Sequence, residues 1–306
     1  MKLFRYSQRT KEQLEFYALI SPWFIVFLFL TLFPLLYGLY LSFTNFTGLN
    51  IDTLRNVGFN NYRRVFADND AVYSLTRTLL ITVINVPLTT IIGFMLALML
   101  NYKVKGVGIY SSIFYLPTIL PIMVTGIIWR VIFTKDGGIL NQILDFVGIA
   151  PVNWLGYDNI SISLLILLAW GSGGGLLIYL AGLKGISQEL YESASIDGAK
   201  PFQRVMNITV PLMTPVLFFN IIMSIISSLQ IFIQPIVLSS NTTNLLATPL
   251  RPNYLYSIHA FQQIFAFQRY GYGLAMLWLL FVAIVLLSII VFYSSKYWVH
   301  YEVDQG

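Results

Sequence analysis

The 306-residue sequence contains no cysteine and only two histidines, and charged residues make up 10% of it. Without cysteine the chain can form no disulfide, no thiolate metal site and no cysteine nucleophile. The histidines, His259 and His300, lie far apart, and the zinc-protease, nucleophile-elbow and Walker A motifs are all absent. These absences predict a chain that is not an enzyme and that holds no metal or cofactor of its own.

Long apolar segments dominate what is present. Hydrophobic residues make up 57% of the chain, and a helix needs about 20 mostly apolar residues to span a bilayer. Six segments meet that length, so the sequence predicts an all-α membrane protein with six transmembrane helices. The segments are residues 17–43, 75–100, 110–133, 160–183, 211–238 and 271–295.

The lysines predict how the spans are oriented. If the N-terminus is cytoplasmic, the inside segments contain seven of the eight lysines, in agreement with the positive-inside rule. Arg55, Arg63, Arg64, Arg251 and Arg269 fall outside, but long loops weigh less in this rule. We therefore expect a cytoplasmic N-terminal segment (1–16), a membrane domain (17–296) and a cytoplasmic tail (297–306). The seven lysines are Lys2, Lys11, Lys103, Lys105, Lys184, Lys200 and Lys296.

Proline and glycine recur inside the predicted spans. Each proline removes a helical hydrogen bond and favours a kink, which suits either shaped packing or bent helices around a cavity. The run from Trp170 to Gly175 reads WGSGGG, and glycine lets membrane helices approach closely. That run fits either a tight helix crossing or an unwound segment beside a substrate path. The prolines are Pro22, Pro34, Pro87, Pro117 and Pro121.

A polar interruption, residues 184–210, separates the fourth and fifth predicted spans. Ser187 is a good N-cap residue, Gly198 suits the left-handed position that ends a helix, and Pro201 suits the first position of a new one. The sequence therefore predicts two short helices, the first over residues 188–196. Each has an apolar edge, which could lie on the membrane or dock into a groove of a soluble partner.

This interruption resembles the EAA loop of the inner-membrane permeases of binding-protein-dependent ABC importers. The family pattern is E-A-A, three residues, G, nine residues and I-x-L-P. The sequence has Glu192-Ser193-Ala194, three residues, Gly198, nine residues and Ile208-Thr209-Val210-Pro211. It departs from the pattern at Ser193 and Val210, which are small or apolar replacements.

Two further stretches resemble the sugar permeases of the maltose and oligosaccharide branch, namely Val57–Tyr62 (VGFNNY) and Tyr115-Leu116-Pro117 with Pro121. The resemblance implies a type I ABC importer permease fold with cytoplasmic coupling helices. It also implies that residues 184–210 dock into a cleft on an ATP-hydrolysing subunit. The motif places five residues in that coupling role: Glu192, Ala194, Asp197, Gly198 and Ala199.

Partners and location follow from the same resemblance. It implies a second homologous permease, two ATP-binding subunits that carry ATP and Mg, and an extracytoplasmic solute-binding protein that docks on residues 44–74 and 239–270. It implies a bacterial cytoplasmic membrane, with lipid and a sugar as further contacts, and no nucleic acid.

A polar stripe in the fifth predicted span is the candidate substrate path. Asn220, Ser224, Ser227 and Gln234 fall on one helical face, and polar side chains in hydrocarbon must face protein or water. They could form interhelical hydrogen bonds or line a path for an uncharged polar solute, and the resemblance favours the path. Trp129, Trp170 and Tyr179 are candidates for stacking on a sugar ring.

The expected function is therefore that of a permease subunit in an ATP-driven sugar importer. Among sugars, an oligosaccharide is the expected cargo. A same-family permease for glycerol phosphate or another small polar solute is one alternative. A secondary transporter that works without an ATPase is another, although the predicted span centres contain no ionisable residue of the kind that marks an ion relay.

Overall fold

A computed structural model describes residues 8–48, 52, 54–101, 106–239 and 244–300. In this part of the chain the secondary structure is helical, apart from an isolated bridge between Thr44 and Asn56. The predicted cytoplasmic lysines Lys2, Lys103 and Lys105, and the end of the tail, lie outside the described residues. The helices are α1 (Gln8–Val26), α2 (Phe33–Ser42), α3 (Asn60–Ala67), α4 (Asn69–Asn101), α5 (Val107–Ile119), α6 (Ile122–Ile132), α7 (Ile139–Phe146), α8 (Ile160–Trp170), α9 (Leu176–Gly185), α10 (Gln188–Ile196), α11 (Pro201–Arg204), α12 (Val210–Leu229), α13 (Ile233–Ser239), α14 (Tyr256–Phe265) and α15 (Tyr270–Ser295).

Five helical stretches in the described residues are long and apolar enough to cross a membrane, and a bent pair of helices makes six. The fold is thus the predicted all-helical membrane architecture, with corrections to the third and fifth predicted spans. The third predicted span, 110–133, is not one helix, because α5 and α6 meet at an angle of 102°. Leu120 is extended there (ψ 137°), as expected for a residue that precedes a proline, here Pro121. The five single stretches are Lys11–Ser42, Asn69–Asn101, Ile160–Gly185, Pro201–Leu229 and Tyr270–Ser295.

The fifth span also differs from the prediction. It begins as a helix at Pro201 rather than at residue 211, and it ends at Leu229, so that α13 is a separate helix. Pro211 does not interrupt it, because residues Val205–Thr209 widen into a π-helical turn. A wider turn accommodates the missing N–H group and the bulk of the proline ring. The turn Phe27–Leu32 has the same geometry just ahead of Pro34.

Helix α4 is the central element. Its 33 residues extend for about 50 Å, and it packs against α3, α8, α9, α12 and α14. Buried apolar clusters surround it along its length, with Tyr256 and Met276 near its start and Leu100 and Leu180 near its end. In lipid, the stabilisation comes from close packing rather than from expulsion of water.

The two ends of α4 define two ends of the molecule. Its start touches the cap end, formed by the described residues within 44–68 and by residues 244–269, where the hydroxyl of Thr78 accepts from the backbone N–H of Tyr256 at 2.9 Å. Its last residues lie beside the loop end, residues 184–200, where Asn101 and Lys184 border one groove. A single continuous helix, α4, therefore connects the cap end to the loop end.

Asp68 connects the elements of the cap end. Its Oδ1 accepts from the backbone N–H groups of Asp70 and Ala71, which caps α4, and its Oδ2 accepts from the hydroxyl of Tyr272 at 2.8 Å. The same Oδ2 lies 3.5 Å from Nε2 of the buried His259. Burial raises the pKa of Asp68, but the hydrogen bonds from Tyr272 and from the two amides outweigh it and hold the pKa below its ordinary value.

We predict that Asp68→Ala destabilises the cap end more than Asp68→Asn does. Asparagine still caps α4, whereas alanine loses the cap, worth about 1 kcal/mol, and the acceptor for Tyr272. Thermal unfolding of the purified subunit measures both effects. Because the folded pKa is lowered, the stability due to the carboxylate is complete above the ordinary aspartate pKa of about 3.9 and is lost as pH falls through the lowered value. Equal stability of the two variants at pH 7 would contradict this assignment.

Candidate functional site

A cavity of about 580 Å³ opens between α4, the α5–α6 bend, the segment that joins α8 to α9, α12 and the start of α13. Three of these borders are interruptions of a helix. Residues Gly171–Gly175 form a short 3-10 segment, Leu120 sits at the α5–α6 bend, and α12 ends before α13 begins. Irregular backbone at membrane depth is tolerated where it lines a cavity. The polar lining consists of Asn85, Thr89, Thr90, Thr118, Thr125, Ser172, Tyr179, Asn220, Ser224, Ser227 and Gln234.

The four residues of the predicted polar stripe all border this cavity. Asn220, Ser224 and Ser227 share a face of α12 as expected, but Gln234 belongs to α13 and reaches the cavity from a different helix. The structure thus brings the four together, although a single helical face is not the reason. Asn220 is buried, Ser224 and Gln234 are half-buried, and Ser227 is exposed.

The three predicted aromatic residues separate into two groups. Trp170 and Tyr179 border the cavity, where Trp170 is 37% exposed and Tyr179 is buried. Trp129 is not part of the lining. It packs edge-on against Trp170 with ring centroids 5.8 Å apart and against Phe133 at 5.1 Å. Trp129 therefore supports the orientation of Trp170 from behind.

Several cavity residues escaped the sequence reasoning, which considered the fifth span and single aromatic residues. Asn85 and Thr89 come from α4, and Thr125 comes from α6. The Oδ1 atom of Asn85 and the hydroxyl of Thr125 are buried without a hydrogen-bond partner among the described residues. Unsatisfied buried polar groups are costly, so a hydrogen-bond partner for either atom would be stabilising. Thr82, Asn85 and Thr89 recur at helical spacing on α4, and that pattern could have identified Asn85 and Thr89 from the sequence.

The glycine-rich segment makes close helix contacts and also borders the cavity. A Cβ at Gly173 would collide with the carbonyl oxygen of Phe114, and a Cβ at Gly175 would lie 2.9 Å from Oδ1 of Asn220. Gly93 of α4 faces the same segment, and a Cβ there would lie 2.8 Å from the carbonyl oxygen of Ser172. The run is a tight crossing on one side and a cavity wall on the other.

The described lining carries no aspartate, glutamate, lysine, arginine or histidine. Its polar groups are hydroxyls and carboxamides, which donate and accept hydrogen bonds without a net charge. Apolar walls such as Leu167 and Phe219 complete it. A wall of this composition suits an uncharged polar molecule with a partly apolar face.

The loop end folds as the capping residues predict. Helix α10 runs from Gln188 to Ile196, and the Ser187 hydroxyl accepts from the backbone N–H of Glu189 at 3.3 Å. Gly198 has φ +76°. The Gly198 N–H donates to the Ser195 carbonyl at 3.2 Å, and the Ala199 N–H donates to the Ala194 carbonyl at 2.9 Å. These two bonds form a Schellman motif, which ends the helix at a left-handed glycine.

Side-chain bonds lock the turn against the fifth span. Arg204 donates from Nη1 to the Ser195 hydroxyl at 2.8 Å, which joins α11 to α10. The hydroxyls of Tyr191 and Thr209 lie 2.9 Å apart, which joins α10 to the π-helical turn before α12. Because α11 continues through that turn into α12, these bonds attach α10 to the continuous helical stretch that carries Asn220.

The predicted coupling residues lie on α10 and on the turn that ends it. Glu192, Asp197 and Gly198 are exposed, and Ala194 and Ala199 are half-buried. Two large apolar side chains at this end are also exposed, Ile196 at 87% and Phe202 at 74%. Exposed apolar residues of this size next to free carboxylates form a surface suited to a protein partner.

The family profile described as binding-protein-dependent transport system inner membrane component matches residues 89–300. The chain belongs to this family. The matched range contains the loop-end turn and most of the cavity lining, so the permease carries both features within its family domain.

Curated relatives support the assignment over the full length. The permease is 38% identical over 296 residues to a probable ABC transporter permease protein, YesP, of Bacillus subtilis (strain 168), with 95% of this chain and 94% of the relative covered. It is 33% identical over 288 residues to the arabinooligosaccharides transport system permease protein AraP of the same strain, with coverage of 90% and 86%. A trehalose/maltose permease, MalF, of Thermococcus litoralis (strain ATCC 51850 / DSM 5473 / JCM 8560 / NS-C) is 38% identical over 179 residues, 58% of this chain and 60% of the relative.

Solved structures give the same fold. A chain of a bacterial ABC transporter involved in the import of the acidic polysaccharide alginate superposes with a TM-score of 0.80 at 22% identity, covering 94% of the permease and 97% of that chain. A second alginate transporter structure, in complex with an alginate pentasaccharide-bound periplasmic protein, gives 0.79 at 21% identity, covering 94% and 96%. The permease therefore has the type I ABC importer permease fold.

We predict that Gly173→Ala destabilises the permease and that Gly171→Ala does not. The new Cβ of the first variant meets the backbone carbonyl of Phe114, whereas a Cβ at Gly171 has nothing within 4 Å. Overpacking of this kind costs about 1–3 kcal/mol. Thermal unfolding of the purified subunit measures it, and equal midpoints for the two variants would rule out the close contact.

Proposed function

We propose that the permease forms half of the translocation path of an ATP-driven sugar importer, with an oligosaccharide as cargo. The observation that carries this proposal is the cavity, whose described lining combines hydroxyl and carboxamide groups with apolar walls, carries no charged side chain and includes the partly exposed Trp170. A sugar presents hydroxyls around its rim and C–H groups on its faces. Hydroxyl and carboxamide side chains match the rim, and an indole ring matches the face.

The cargo class also draws support from the relatives. Two of them are named for the transport of arabinooligosaccharides and of trehalose and maltose. All of these are neutral sugars, and neutrality agrees with a lining that offers no cation. Glycerol phosphate, the alternative cargo, would call for positive groups near the path. The alginate importers share less than 25% identity and support the fold alone.

The assembly follows from the same proposal. A second, homologous permease supplies the other half of the path, and two ATP-binding subunits hold ATP and Mg. The loop end and both termini lie on the cytoplasmic side. The cap end lies on the opposite side, where it meets the solute-binding protein. The membrane is the cytoplasmic membrane of a bacterium. The apolar stretch Lys11–Ser42 is almost wholly exposed in the single subunit, which leaves it available to lipid or to the second permease.

The proposed cycle uses the connections that the structure contains. Closure of the ATP-binding subunits moves the turn around Gly198, which they grip through Glu192, Asp197, Ile196 and Phe202. The Tyr191–Thr209 and Arg204–Ser195 bonds pass the movement to α11 and α12. Because α12 carries Asn220, Ser224 and Ser227, the wall of the cavity moves with it and the cavity changes the side to which it opens.

A matched pair of glutamine variants tests the path. Gln234→Leu removes a polar group from the cavity, whereas Gln230→Leu alters a residue outside its lining. Loss of one neutral hydrogen bond is worth about 0.5–1.5 kcal/mol, so we expect a roughly two- to tenfold lower maximal rate for Gln234→Leu alone.

The measurement is uptake of labelled oligosaccharide by proteoliposomes that contain the complete complex, ATP and saturating solute-binding protein. Equal rates for the two glutamine variants would remove Gln234 from the path. Uptake of glycerol phosphate but not of oligosaccharide by the unaltered complex would overturn the proposed cargo.

Substitutions at Gly198 test the coupling. Proline fixes φ near −65°, which is incompatible with the observed +76°, and it removes the N–H that donates to Ser195. Gly198→Pro should abolish ATP-driven uptake while the subunit still inserts in the membrane. Gly198→Ala should retain uptake, because a Cβ there meets nothing within 4 Å and the left-handed conformation costs alanine only about 1–2 kcal/mol. Normal uptake by the proline variant would refute coupling through this turn.

A further inference from the structure

A small notch of about 280 Å³ lies at the cap end, between residues 44–47, α3 and the start of α15. It is separate from the transport cavity, and no residue lines both. Its volume suits one amino-acid side chain rather than a sugar chain. The residues that line it are Thr44, Asn45, Phe46, Thr47, Val57, Asn60, Asn61, Arg64, Arg269 and Tyr272.

Two arginines give the notch its charge. Arg64 and Arg269 are both exposed, and the described lining contains no carboxylate. The nearest acids along the chain have other partners: Asp68 accepts from Tyr272, and Asp70 pairs with Arg251 at 2.6 Å. Neither lining arginine forms an ion pair with a described residue.

Each of the two guanidinium groups lies over an aromatic ring. Arg64 lies over the ring of Tyr272 at 5.1 Å from its centroid, and Arg269 lies over Phe267 at 5.8 Å. Arg269 also makes a long contact of 3.5 Å with Oε1 of Gln263. Stacking uses the face of a guanidinium and leaves its N–H groups available in the plane. Such a fork matches a carboxylate, which it can bind with two parallel hydrogen bonds.

The walls of the notch are built before any ligand arrives. The buried Asn61 donates from Nδ2 to the carbonyls of Ser42 and Thr44, each at 2.8 Å. The Gly271 N–H donates to the Phe46 carbonyl at 2.9 Å. These bonds fasten residues 44–46 to α3 and α15, so little ordering is needed on binding, which favours affinity.

We propose that the notch receives one aspartate or glutamate side chain of the solute-binding protein, held between Arg64 and Arg269. This inference rests on the proposed function, which places that protein at the cap end. The volume of the notch suits a single side chain, and its two arginines favour a carboxylate. An acid seated there would fix the register of docking above the transport cavity.

The experiment uses the complete complex in lipid nanodiscs and the purified solute-binding protein, with affinity measured at two salt concentrations. Arg64→Gln and Arg269→Gln should each weaken docking about tenfold and reduce its salt dependence, as expected for truncation of an interfacial charge. Arg63→Gln is the matched control, because Arg63 is exposed but does not line the notch. Each surface aspartate or glutamate of the solute-binding protein is then replaced by its amide. For one of them, the replacement should weaken docking to the unaltered complex but cause no further loss of affinity in the Arg64→Gln complex.

Thermal unfolding of each variant complex establishes that the notch variants are folded. Arg64→Lys should show an intermediate affinity, because lysine keeps the positive charge but lacks the two parallel N–H donors of a guanidinium group. Docking as tight as in Arg63→Gln, or additive effects with every acid of the partner, would overturn the inference. The unaltered complex separates this result from the cargo assignment. If it docks the partner through the notch but takes up no sugar, the proposed function fails and the notch inference holds.

Discussion

Inside a bilayer no water reaches the backbone, so every N–H and C=O of a spanning segment needs a partner within the protein. A helix that breaks in lipid would expose several of these groups. In the described residues, the break at Leu120, the 3-10 segment Gly171–Gly175 and the end of α12 at Leu229 all lie around one cavity. The cavity and the breaks therefore depend on each other, because the protein interior is where such backbone can be placed.

Local chemistry explains which parts of the fold could be predicted. Helix α10 begins after Ser187 and ends before Gly198 as the sequence indicates, because a cap and a left-handed glycine depend on a few adjacent residues. The two π-helical turns and the 102° bend all involve prolines that the sequence marks. Their outcome differs, since Pro211 is absorbed in a continuous helix whereas Pro121 follows a sharp bend. The packing around each proline decides between these outcomes, and no local pattern records it.

The candidate site shows the same division. Asn220, Ser224 and Ser227 could be grouped from helical spacing on α12 alone. Gln234 borders the same cavity from α13, a separate helix that begins after α12 has ended, and helical spacing does not reveal that break. Trp129 failed as a lining residue because its ring is directed at Trp170 and Phe133. Which face of a span meets the cavity is a property of the whole bundle, so single aromatic residues were weak evidence.

In the part of the chain that the structure describes, Tyr179 is the one ionisable residue of the cavity lining. This composition determines how the membrane potential acts on transport. Moving one elementary charge through a membrane potential of 100 mV involves about 2.3 kcal/mol. A neutral solute that passes a neutral wall involves none of that work. In the proposed importer, accumulation of such a solute therefore involves no electrical work, and ATP rather than the membrane potential drives it.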